Sequence, residues 1–70
     1  MRYHIERVVK DECDIINVVR EDGVIITSYW GGTLLELGMC RESRGSRKLV
    51  PCVRVFDRNT GMVKYESLLE

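Results

Sequence analysis

The hydrophobic positions of this chain fall in short β-branched clusters divided by polar turns. Val8-Val9, Ile15-Ile16 and Val18-Val19 lie within residues 3–10 and 14–20, separated by the acidic turn Lys10-Asp11-Glu12-Cys13-Asp14. Branched side chains pack well on a pleated surface and lose rotamer freedom in a helix, so these pairs predict two strands. A second reading competes over the same residues. Ile5, Val8, Val9, Cys13 and Ile16 also recur at helical spacing, opposite Glu6, Arg7, Lys10, Asp11 and Asp14, which fits one amphipathic helix. The two-strand reading is preferred.

Residues 18–26, Val18-Val19-Arg20-Glu21-Asp22-Gly23-Val24-Ile25-Ile26, predict a hairpin, with Asp-Gly supplying the positive φ that its turn requires. A three-residue loop ending on Gly23 puts Ile16, Val18, Val24, Ile26 and Trp30 on one face. A two-residue loop puts Val19 opposite Ile26 and Ile15 opposite Trp30. The first register has the cleaner apolar face. After Gly31-Gly32, the pattern Thr33-Leu34-Leu35-Glu36 matches a capping box and predicts a short helix over about 34–40. Residues 41–48 read as a mobile basic loop. Strands over about 48–56 and 62–67 flank the turn Asp57-Arg58-Asn59-Thr60-Gly61. If Asp57 pairs with Gly61, Val53 and Val55 share a face with Val63 and Tyr65. Pro51 has no N–H for a ladder, so its strand start is expected at an edge or bulge.

The predicted fold class is therefore mainly β (α+β with one short helix). Its element order is β-β-β-α-β-β, in a small five-stranded barrel or curled sheet. That order is shared by barrels of the OB type, an analogy of architecture only. No motif identifies a family, and the chain has no internal sequence repeat, low-complexity tract or linker. Seventy residues leave room for a single small β-rich domain over 1–70, near the lower size limit for independent folding.

Composition narrows the chemistry. The chain is 44% hydrophobic and 31% charged, with 11 basic and 11 acidic residues and no net charge. This balance speaks against a bulk-charge binder of DNA or anionic membrane but leaves local patches open. The start, Met1-Arg2-Tyr3-His4-Ile5-Glu6-Arg7, lacks the apolar run of a signal peptide. No segment approaches the roughly 20 apolar residues that span a bilayer. Three cysteines are too few for a disulfide scaffold, so a cytoplasmic, reducing location is expected.

His4, Cys13, Cys40 and Cys52 are zinc-ligand types, but they lack the paired spacing of a zinc site, and no metal or other cofactor is expected. A Cys40–Cys52 disulfide is also not expected, because a simple hairpin centred on Gly45 places Cys40 opposite Leu49. One histidine and scattered carboxylates do not supply a nucleophile, base, orienter and cleft, so the chain reads as a non-enzyme with no small-molecule substrate.

Charge is split along the chain: residues 1–39 carry net −3 and residues 40–70 net +3. Arg41, Arg44, Arg47 and Lys48 concentrate four positive charges in the predicted loop, with Arg58 in the next one. Arginine there suits phosphate or carboxylate groups, although solvated loops also carry such charges. Tyr29 and Trp30 are adjacent on a strand and point to opposite faces, one into the core and one outward. Together these residues form the candidate binding set. The expected function is a small interaction or regulatory module acting through protein–protein contacts, self-associating as a homo-oligomer. The alternative is single-stranded nucleic-acid binding on an OB-like barrel through the basic loop and an exposed aromatic. The acidic turns at Asp11/Glu12 and Glu21/Asp22 count against the alternative, because they repel a phosphate backbone.

Overall fold

In the computed structural model, which describes residues 2–69, the chain forms six strands. They are β1 (Tyr3–Lys10), β2 (Cys13–Arg20), β3 (Ile25–Trp30), β4 (Leu34–Arg41), β5 (Leu49–Phe56) and β6 (Val63–Leu68). β1-β2-β3 form one antiparallel sheet and β4-β5-β6 another. The chain divides into two compact units, residues 1–33 and 34–70, with one sheet in each. Both sheets are meanders with strands of eight, eight and six residues, a repeat of topology with no counterpart in sequence.

Two expectations are corrected. There is no closed five-stranded barrel, and no helix occurs among the described residues. The segment read as a helix is β4, paired with β5 along its whole length from Leu34↔Phe56 to Arg41↔Leu49. Leu35 and Leu37 are half-buried while Leu34, Glu36 and Met39 are exposed, so the strand period governs the first turn of the supposed helix. A capping box contributes on the order of 1 kcal/mol, whereas an eight-residue ladder satisfies backbone groups along the full element. Gly38 weakens a helix but suits this strand. A Cβ there would lie 2.5 Å from Arg54 Nη1, so glycine gives the guanidinium room to lie across β4.

In the first unit, residues 3–10 and 13–20 are strands, and the helical reading fails. The hairpin closes through Asp11 and Glu12, both with positive φ (50° and 66°), the backbone sign of the tight turns that match strand twist. The β2–β3 hairpin contains both registers weighed from sequence. Near the turn, Arg20 N donates to Val24 O and Val19 pairs with Ile25, as a three-residue loop requires. A bulge between Val18 and Val19 then shifts the ladder, so that Ile15 pairs with Trp30. One inserted residue transfers every later side chain to the other face, and Trp30 thus leaves the face of Ile16 and Val18.

In the second unit, Pro51 lies in β5, the central strand, but in its start, which β6 leaves open because the β5–β6 ladder begins only at Cys52↔Leu68. Its carbonyl accepts from Leu69 N at 2.9 Å, so its backbone polar groups face the end of β6. The missing N–H therefore costs the β4 ladder nothing, since polar groups alternate sides along an antiparallel strand. Tyr65 shares the face of Val53 and Val55 as expected, but it pairs with Val55, where an Asp57–Gly61 pairing would have set it opposite Val53. A bulge after Val55 pairs Val63 with Phe56 instead, so Val63 leaves that face.

The buried apolar residues are Ile16, Val18 and Val19 in the first unit and Val50, Cys52, Val53, Val55 and Leu69 in the second. Apart from Leu69 they sit on β2 and β5, the middle strands, whose backbone is paired on both sides.

Candidate interaction surfaces

The sheet edges expose much apolar surface. Every residue of β1 after Tyr3 is exposed, including Ile5, Val8 and Val9, the last at 68%. On the opposite edge Ile25 and Trp30 are exposed, Trp30 at 75%. Tyr29 is half-buried and Trp30 stands out, the division expected of adjacent strand residues. Both line an open depression of about 270 Å³ with Ile15 and Ser28. Its floor is tied across strands by Ser28 Oγ donating to Asn17 Oδ1 at 2.6 Å. In the second unit Leu34 and Met39 on β4, with Val63, Tyr65 and Leu68 on β6, are exposed in the same way.

The charged groups are more ordered than a solvated set. Arg7 donates through Nε to Asp14 Oδ1 at 2.8 Å, and Arg20 grips Asp22 with two bonds of 2.8 and 2.6 Å. The Arg7 hydrogen bond holds the Asp14 carboxyl below its ordinary range. The Asp22 carboxyl is lowered to about 2, first by the Arg20 hydrogen bond and further by Val24 N–H. Its folded value lies below the ordinary 3.8, so the stabilising contribution is fully present above that pH and is lost as pH falls toward 2. A carboxyl-detected NMR titration should therefore place the Asp22 midpoint near 2. Arg20→Gln should return it toward 3.8, and a parent midpoint already at 3.8 would contradict the pairing.

The segment linking β4 and β5 is a tied turn. Glu42 N donates to Lys48 O at 2.9 Å, Ser46 N donates to Ser43 O at 3.0 Å, and Gly45 takes a φ of 83°. Of the basic residues named from sequence, Lys48 is paired to Glu42 at 3.1 Å. Arg41 and Arg44 come together on one open depression of about 650 Å³, also lined by Met39, Cys40, Arg54 and Glu66. Arg47 and Lys48 are on the same turn but outside that lining, and Arg58 is on the β5–β6 loop. Tyr29 and Trp30 belong to the other unit. The sheets do not close into a barrel, so the OB-type analogy of architecture does not hold.

Sequence reasoning missed a covalent pairing made by Cys40, which lines this depression. Cys40 and Cys52 form a disulfide, with Cα atoms 5.8 Å apart, contrary to expectation. The reason is register. Cys40 pairs with Val50 and not Leu49, and Gly38 pairs with Cys52. Cys40 and Cys52 therefore share a face as diagonal neighbours, whereas the register one residue away sends them to opposite faces. Beside them Arg54 Nε donates to Glu66 Oε2 at 3.0 Å, and its Nη2 donates to Met39 O at 3.0 Å. Nη1 also reaches Glu36 at 3.4 Å. Cys40, Cys52 and Glu66 are the one group of three metal-ligating side chains that converges among the described residues. With its two sulfurs bonded to each other it offers no thiolate to a cation. His4 lies instead against Glu6 at 2.9 Å, and Cys13 is an exposed free thiol.

No helix among the described residues is long and apolar enough to cross a membrane. The chain matches no protein family, no curated protein and no solved structure.

Proposed function

We propose that this chain is a non-enzymatic interaction module that associates with a second copy of itself through its exposed sheet surfaces. The observation that carries this reading is the balance of apolar side chains. Among the described residues, thirteen large hydrophobic residues are exposed and eight apolar residues are buried. Isolated exposed hydrophobics are ordinary, but here ten of the thirteen lie on the outer strands of the two sheets, where unpaired backbone groups also invite a partner strand.

Charge favours a second copy as the occupant. The first unit carries four basic and six acidic residues, net −2, and the second seven basic and five acidic, net +2. In a two-fold dimer each unit of one copy can face the opposite unit of its partner, so that complementary charge meets twice. The zero net charge of the chain leaves little repulsion against such a pair.

Trp30 is the single tryptophan and reports directly on the surface. Light scattering across a wide concentration range should show the mass rising from monomer to dimer, with tryptophan emission moving to shorter wavelength in step. Trp30→Ala should weaken the dimer by about 2 kcal/mol, the loss typical of a tryptophan anchor. A strictly monomeric mass at the highest concentration, with unchanged emission, would refute self-association.

A further inference from the structure

The two sulfurs of the Cys40–Cys52 disulfide have unequal surroundings. Cys52 has no exposed surface, whereas Cys40 is half-buried and lines the 650 Å³ depression. Glu66 Oε2 lies 2.9 Å from Cys40 Sγ. A disulfide sulfur has no proton to donate, so this contact suits the reduced protein, in which the Cys40 thiol donates to the carboxylate. Arg54, 3.0 Å from the same oxygen, offsets the carboxylate charge that would otherwise repel an incoming anion. On the lining, Arg41 and Arg44 make no ion pair with any described residue.

We infer that Cys40–Cys52 is a thiol–disulfide exchange site for a small anionic thiol, attacked at Cys40 with Arg41 and Arg44 receiving the carboxylates of the reagent. The thiolate of the reagent forms a new S–S bond to Cys40 Sγ. The Cys40–Cys52 bond breaks, and its electron pair leaves on Cys52 Sγ, which takes a proton from water. A second thiolate attacks the reagent's sulfur in this mixed disulfide and releases Cys40 as a thiolate. Cys40 is then protonated and donates to Glu66. Two small thiols are oxidised to their disulfide, and the protein's disulfide is reduced to a dithiol. Cys52, which has no exposed surface, serves as the resolving sulfur in the reverse direction. Arginine is suited to the carboxylates through its forked donors, and the open lining at Cys40 admits a small reagent.

The test uses the intact chain with Cys13→Ser, which removes the competing exposed thiol. Reduced glutathione, which carries carboxylates, is compared with cysteamine, which carries an amine, at matched thiolate concentration. Each rate is normalised to that reagent's rate on a small uncharged disulfide, and protein thiols are counted by mass after alkylation. Glutathione should react about three- to tenfold faster, the range two exposed arginine–carboxylate contacts supply. Arg41→Gln with Arg44→Gln should abolish that advantage. Equal normalised rates, or a preference that survives both substitutions, would overturn the assignment. Independently, oxidised glutathione should label Cys40 in Cys52→Ser and leave Cys52 unlabelled in Cys40→Ser. Equal labelling would refute Cys40 as the attacked sulfur. The comparison of the two reagents needs neither cysteine variant to fold.

Discussion

Replacing Val53 with aspartate should unfold the 34–70 unit. Val53 has no exposed surface and sits mid-way along β5, between Leu37 of β4 and Ser67 of β6. A carboxylate there has no cationic partner on the facing positions, and an unpaired buried charge costs about 3–5 kcal/mol. At about 0.05–0.15 kcal/mol per residue, the whole stability of a chain this size is only ~4–10 kcal/mol. With about 2 kcal/mol of lost valine packing added, the penalty is comparable with the whole of the available stability. Val63→Asp is the matched control, with the same exchange on β6 at a side chain that is 48% exposed. It should cost less than about 1 kcal/mol. Amide spectra should lose the dispersed resonances of residues 34–69 in the first variant and keep them in the second. Two variants of similar stability would show that β5 is not the organising strand of this unit.

The legible parts of the fold were those written in adjacent residues. β-branched pairs marked β1 and β2, the Glu21-Asp22-Gly23 turn marked the next hairpin, and the Asp57–Gly61 turn marked the last. Distant pairing was not legible. Thr33 and Glu36 carry a helix-start signal that is real but local, and pairing with β5, up to 22 residues away in the chain at Leu34↔Phe56, overrides it. Barrel closure is likewise decided between strand edges far apart in sequence, and no local pattern distinguishes one closed sheet from two open ones. Pro51 was legible for the opposite reason: its missing N–H is a local fact, and it marks the start of β5 that β6, ending at Leu68, leaves open.

The candidate surfaces divide in the same way. Which ring of Tyr29 and Trp30 faces outward depends on the bulge between Val18 and Val19, but that one of them does, and the Arg41–Lys48 cluster, could be found from spacing and charge. The Cys40–Cys52 pair could not, because it depends on a single-residue choice of register. A hairpin with Arg41 opposite Leu49 brings the cysteines to one face, and the neighbouring register separates them. Arg54 and Glu66 carried no signal of their own. They are i and j partners across β5 and β6, so their role follows from the ladder.

Reducing the disulfide should lower the melting temperature by roughly 8–16 °C, through two opposing effects. The bond joins residues 12 apart in sequence, and removing such a crosslink returns loop entropy worth about 3 kcal/mol to the unfolded chain. Reduction also creates the Cys40 thiol, which gains a hydrogen bond to Glu66 worth about 1 kcal/mol. Loop entropy dominates, leaving about 2 kcal/mol, and each kcal/mol moves a domain of this size by roughly 4–8 °C. Calorimetry with and without a phosphine reductant measures the sum, and Glu66→Gln separates its parts. The contact of Glu66 with Arg54 does not involve the sulfurs, so it is expected in both redox states and cancels from the difference. The thiol hydrogen bond exists only after reduction, and an amide accepts it less strongly than a carboxylate. The loss on reduction should therefore be larger in the variant than in the parent. Equal losses would remove Glu66 as the thiol's acceptor and leave loop closure standing, whereas no loss in either protein would remove the crosslink itself from the folded state.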